Sequence, residues 1–78
     1  MVITEDMKGK IIESIRSKAR NNKELQAYVK LSDYFKPFIT IDMTNAFCKW
    51  VQDNMHCKSA KVICKGELDV ILYPDELE

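Results

Sequence analysis

The chain holds three cysteines and one histidine, and all four lie in one stretch as Cys48, His56, Cys57 and Cys64. Thiolate and imidazole are common zinc ligands, and they form the nucleophile and base of much acyl-transfer chemistry, so such chemistry would sit here. The spacing suits neither. A structural zinc site takes four ligands, commonly as two close pairs, whereas this stretch has no Cys-x-x-Cys and a single imidazole. Adjacent residues such as His56 and Cys57 generally point apart, while a base must reach its thiol in space. The residue types therefore predict Cys48 as a small apolar residue at the edge of a helix, Cys64 as a turn residue, and His56-Cys57 as a solvated loop pair. Among the carboxylates, Asp69 reads as the cross-strand partner of Lys61, and Glu67 lies at a turn exit. With only Gly9 and Gly66 there is no glycine-rich phosphate loop. The expectation is a chain with no catalytic residue, no cofactor and no metal.

The element that must position these groups is the stretch from Asp42 to Met55. Met43, Phe47, Trp50, Val51 and Met55 recur at helical spacing, which predicts a helix over 43–55 with Asp42 as its N-cap. Its other side, Thr44, Asn45, Lys49, Gln52 and Asp53, is expected in water. Upstream, Thr4 followed by Glu5 and Asp6 starts a helix over 5–20, whose apolar stripe is Met7, Ile11, Ile15 and Ala19. Residues 23–34 fit two periods. Leu25, Ala27, Val29 and Leu31 alternate as in a strand, while Leu25, Tyr28, Val29, Ser32 and Phe35 fit a helix face. With Asn22 as a cap, good helix formers after it and no turn signal before Lys36-Pro37, helix is the preferred reading, with Pro37 ending it. Phe38-Ile39-Thr40-Ile41 can form at most a short strand.

The most specific local signal after the helices is a C-terminal hairpin, residues 60–64 and 67–73. A three-residue loop, Cys64-Lys65-Gly66, puts Gly66 at a left-handed position and pairs Val62 with Leu68, Lys61 with Asp69 and Ala60 with Val70. A two-residue loop would instead oppose Val62 to Asp69, mixing acids into apolar pairs. Pro74 ends the second strand, and the acids after it read as frayed. The predicted fold is α+β: three helices packed on a hairpin in one small domain, residues 1–78, in an order that admits a winged-helix arrangement.

Seventy-eight residues allow one modest core, since a chain this short buries only roughly 60–65% of its unfolded surface. Lys and Arg number 12, as do Asp and Glu, so no net field draws the chain to phosphate backbones or anionic lipid. Residues 1–30 nevertheless hold seven bases against four acids, and residues 59–78 two against five. An odd number of cysteines argues for free thiols in a reducing, cytoplasmic setting. No apolar run reaches the roughly 20 residues needed to span a bilayer. Nor does Met1-Val2-Ile3-Thr4-Glu5-Asp6 have the basic and apolar regions of a signal peptide.

What remains is contact with other molecules. Tyr28, Tyr34, Phe38 and Tyr73 are expected anchors for a protein partner, being more aromatic surface than so small a core can hide. The outer edge of strand 67–73 is expected to accept a partner strand or a second copy of the chain as a homodimer. The alternative is a nucleic-acid-binding winged helix, with Thr44, Asn45, Lys49 and Gln52 offered to base edges and Lys65 at the wing tip. Its difficulty is electrostatic, because that helix has one lysine against two aspartates.

Overall fold

A computed structural model of the chain describes residues 2–36 and 38–78. The first helix, α1 (Glu5–Arg20), forms as its sequence predicts. Thr4 Oγ1 accepts the Met7 N–H at 3.2 Å, Glu5 and Asp6 occupy the positive end of the helix dipole, and Lys18 and Arg20 the negative end. Ile11, Ile15 and Ala19 are buried on one side.

The expected helix over 23–34 is not formed. Asn22 Oδ1 accepts from the Glu24 N–H at 2.8 Å and the Gln26 N–H at 3.4 Å, and Leu25 adopts a left-handed φ of 58°. Asn22 thus caps a chain reversal instead of a helix. Strand β1 (Gln26–Lys30) follows, with Ala27 and Val29 buried and Tyr28 and Lys30 exposed. A one-turn 3-10 segment, Leu31–Asp33, ends it. The alternating period prevails because β1 satisfies a strand some 40 residues away, which would otherwise present a bare edge.

The second helix, α2 (Ile41–Asn54), starts two residues earlier than predicted. Its N-cap is Thr40, whose Oγ1 accepts the Met43 N–H at 3.1 Å, and Asp42 lies inside the first turn. A strand over 38–41 is absent: Phe38, Ile39 and Thr40 stand outside the sheet and Ile41 is helical. The expectation that Pro37 ends the preceding element falls outside the described residues. Phe47 and Val51 are fully buried and Trp50 half-buried. Tyr34, Phe35 and Trp50 surround the Phe47 ring at centroid distances of 6.2, 5.9 and 5.8 Å, so both Tyr34 and Phe35 complete the core.

Strands β2 (Cys57–Cys64) and β3 (Glu67–Leu72) make the hairpin, and β1 adds to the far side of β3 in a three-stranded antiparallel sheet of order β1-β3-β2. The pairs Ala60↔Val70, Lys61↔Asp69 and Val62↔Leu68 are those predicted. The loop differs in detail. Cys64 faces Glu67, which leaves Lys65-Gly66 as the turn and Ile63 as an unpaired extra residue between Val62 and Cys64. Gly66 has φ 82°, and a Cβ there would lie 3.2 Å from Ile39 Cγ2. β2 also begins earlier than predicted, taking in Cys57 and Ser59 from the expected loop.

One face of the sheet carries Ala27, Val29, Leu68, Val70 and Leu72 into a core roofed by α1 over β1 and α2 over β2. The other face, with Gln26, Tyr28, Lys30, Lys61 and Asp69, is open. Past β3, Pro74–Leu77 forms a 3-10 turn that is held in place and not frayed. Glu76 Oε2 accepts from Arg16 Nη2 at 2.7 Å and Nε at 3.2 Å, Glu76 Oε1 accepts the His56 N–H at 2.6 Å, and Leu77 packs against the core. No helix among the described residues is long and apolar enough to cross a membrane.

Candidate functional site

The thiols and the imidazole have separate partners. Cys48 is buried, and its Sγ donates to the Ala60 carbonyl at 3.4 Å. Cys57, half-buried, directs its Sγ to the Val51 carbonyl at 3.8 Å. Burial first, then the negative charge of Glu76 and the neighbouring Cys48 sulfur, push this thiol up to about 11, which keeps it protonated. Cys64 is exposed and donates to Glu67 Oε2 at 2.5 Å, a bond that raises its pKa as well. His56 turns away from Cys57, with Nδ1 at 2.7 Å from Asp75 Oδ2 and its ring tilted by 38° against Tyr73 at a centroid distance of 4.3 Å. Burial alone would raise the Glu76 carboxyl. The Arg16 side chain and the His56 N–H outweigh it and hold Glu76 below its ordinary range. These contacts clamp the C-terminal turn to α1 and to the start of β2. Among the described residues, no three of His, Cys, Asp or Glu gather around a point that could hold a metal ion.

Of the residues expected to meet base edges, Thr44 is withdrawn. It is 0% exposed, donates from Oγ1 to the Thr40 carbonyl at 2.9 Å and accepts the Gly66 N–H at 2.7 Å, so it ties α2 to the hairpin turn. Gln52 is exposed, but its Nε2 donates to the Ala60 carbonyl at 3.0 Å. Asn45 and Lys49 stand exposed one turn apart, and Lys65 is exposed in the β2–β3 turn. Between β1 and α2 the described residues form a single 3-10 turn and a loop, so among them no helix stands directly before α2 as a helix-turn-helix pair requires.

The aromatic anchors do not form one surface. Tyr34 stacks on Phe47 and belongs to the core. Tyr28, 60% exposed, stands on the open face of the sheet, and Tyr73 and Phe38 lie at opposite ends of β3. Strand pairing at the outer edge of residues 67–73 is ruled out by β1, which occupies that edge from Gln26↔Ile71 to Lys30↔Glu67. Each outer strand also has an outward carbonyl taken by a helix side chain. Lys18 Nζ donates to Tyr28 O at 3.1 Å on β1, and Gln52 Nε2 to Ala60 O on β2. Such covering discourages addition of a further strand.

The molecule does form an open groove of about 390 Å³, lined by Lys30, Ser32, Ile39, Lys65, Gly66 and Glu67. Three segments meet there. The Leu31 N–H donates to the Gly66 carbonyl at 2.9 Å, joining the end of β1 to the turn, and Gly66 N–H to Thr44 joins the turn to α2. Exposed apolar residues lie within two residues of its lining in the same segments: Phe38 at 80% and Ile41 at 48% on either side of Ile39, and Ile63 at 52% before Lys65. Phe38 and Lys65 were legible as candidates. Ile63 gave a quieter signal, an isoleucine whose alternation puts it on the hairpin face of Lys61 and Asp69. Lys30 and Ile41 had none, since their surroundings depend on the missing helix over 23–34 and on the shifted start of α2.

Comparison with protein-family models, with curated proteins and with solved structures finds no match for this chain.

Proposed function

We propose that this chain is a non-catalytic module that acts by binding a partner protein, and that it does so through the end of the molecule around the Lys30–Lys65 groove. The observation that carries this reading is the exposure of Phe38, Ile41 and Ile63 in the segments that line one concave site. A buried apolar side chain is worth roughly 1.5–3 kcal/mol relative to an exposed one, so these residues leave a large binding contribution unused in the free chain. Anchors of this kind, set beside a groove with a polar rim, are where binding energy concentrates in protein interfaces. A nucleic-acid role draws on fewer groups. Asn45, Lys49 and Lys65 remain for it, and the exposed Asp42 and Asp53 flank the first two.

The test is quantitative co-purification from the native host with the immobilised chain, set against Phe38→Asp combined with Ile63→Asp and against Tyr73→Lys. The reading expects a protein retained by the wild type and by Tyr73→Lys but lost from the double variant. Retention by all three, or by none, overturns it. Trp50 fluorescence checks that each variant is folded.

A further inference from the structure

We infer that the groove takes an acidic, apolar peptide segment, with a carboxylate of the partner seated between Lys30 and Lys65 and its apolar neighbours covering Ile39, Phe38 and Ile63. The inference rests on the protein-binding reading and adds the chemistry of the partner.

The charge of the groove carries the argument. Ion pairs among the described residues use Arg16, Arg20 and His56, so Lys30 and Lys65 line one groove with no carboxylate within 4.0 Å of either. Glu67 ought to neutralise Lys30, because the two face each other across β1 and β3. Instead its Oε2 lies against Cys64 Sγ at 2.5 Å, on the other side of the turn. The lining therefore holds two ammonium groups against one carboxylate, which leaves it net positive, and one oxygen of that carboxylate is taken by the Cys64 thiol. The backbone of Gly66 adds no free donor, since its N–H goes to Thr44 and its carbonyl accepts from Leu31. The side-chain donors left for an occupant are the two ammonium groups and the Ser32 hydroxyl, and all three suit an anion.

The apolar component selects a peptide over a free anion. Ile39 forms part of the groove wall, and the exposed Phe38, Ile41 and Ile63 belong to the segments that line it. Inorganic phosphate would satisfy the lysines and leave these side chains in water. A segment with glutamates and leucines in alternation satisfies both, because an extended chain presents acids to one side and apolar groups to the other.

A fluorescein-labelled peptide of alternating glutamate and leucine, titrated with the full chain at low salt and followed by anisotropy, tests this directly. Binding is expected to weaken about tenfold or more in Lys30→Glu and in Lys65→Glu, and to weaken as salt is added. It should be unchanged in Lys58→Glu, at the far end of β2. Peptides with lysine for glutamate, or serine for leucine, are expected to bind less well. Four results overturn the inference: no binding of the glutamate–leucine peptide, equal binding by the reversal variants, equal binding of the lysine–leucine peptide, or displacement by inorganic phosphate or phosphatidylserine vesicles at concentrations where the serine peptide competes equally. If the peptide fails while a native partner is still lost on Phe38→Asp with Ile63→Asp, the acidic chemistry falls and the binding module stands.

Discussion

Replacing Thr44 by valine asks whether this residue supports the fold or faces a ligand. The shapes are nearly the same, so packing around the 0% exposed side chain is preserved and only the hydroxyl goes. Two hydrogen bonds go with it. The Thr40 carbonyl keeps the Thr44 N–H at 3.1 Å and is not orphaned, but the buried Gly66 N–H loses its acceptor. A buried donor left unpaired costs about 1–3 kcal/mol, and a lost neutral hydrogen bond about 0.5–1.5. The sum expected for Thr44→Val is about 1.5–4.5 kcal/mol. Thr44→Ser retains both bonds and removes one buried methyl, which costs about 1 kcal/mol. Urea unfolding followed by Trp50 fluorescence measures both. With a slope near 1 kcal/mol/M, typical of a chain this small, Thr44→Val should lower the midpoint by about 1.5–4.5 M and Thr44→Ser by about 1 M. The order of the two variants matters more than either value. If valine proves as stable as serine, or more stable, the hydroxyl does not join α2 to the β2–β3 turn, and the description of the groove built on that link fails.

Two further outcomes follow from the C-terminal clamp and the thiols. Because the folded Glu76 carboxyl is held below its ordinary value of 4.5, its contribution to stability is full above that pH and is lost as pH falls through the lower folded value. Glu76→Gln should therefore be less stable than wild type at pH 7, with the difference closing in acid; a difference in unfolding midpoint that is unchanged between neutral pH and pH well below 4.5 refutes the clamp. With a pKa of about 11, Cys57 is thiolate in only about one molecule in a thousand at pH 8. Ellman's reagent should modify Cys64 first, faster still in Glu67→Gln, and reach Cys48 and Cys57 only at rates that rise with denaturant; Cys57 reacting as fast as Cys64 in the native chain would contradict its burial.

Several parts of this architecture are written in short-range chemistry. α1 follows from a capping threonine, acids in the first turn and an apolar residue every fourth position, all within 16 residues. The register of β2 on β3 follows from which pairings keep acids out of the apolar face, a choice confined to one hairpin. The chain from Leu25 to Leu31 is different, because both periods are present in the same residues. Each is locally acceptable, and the strand prevails through hydrogen bonds to Glu67–Ile71, which no window around Tyr28 contains.

Composition and local periodicity alone determined an α+β chain with an amphipathic first helix, a tryptophan-bearing helix and a C-terminal hairpin in its correct main register. They also named Phe38 as a candidate anchor, on even terms with a reading in which it finishes the core. Tertiary structure decided the rest. Thr44 reads as wet on a helix in isolation and is dry because Gly66, 22 residues on, needs an acceptor. Glu76 reads as a frayed acid and is held because Arg16, 60 residues back, reaches it. Lys30 and Lys65 share a groove only because β1 ends where the β2–β3 turn begins. The physical reason is common to all three: a side chain's environment is set by the groups that fold against it, and those arrive from distant parts of the chain.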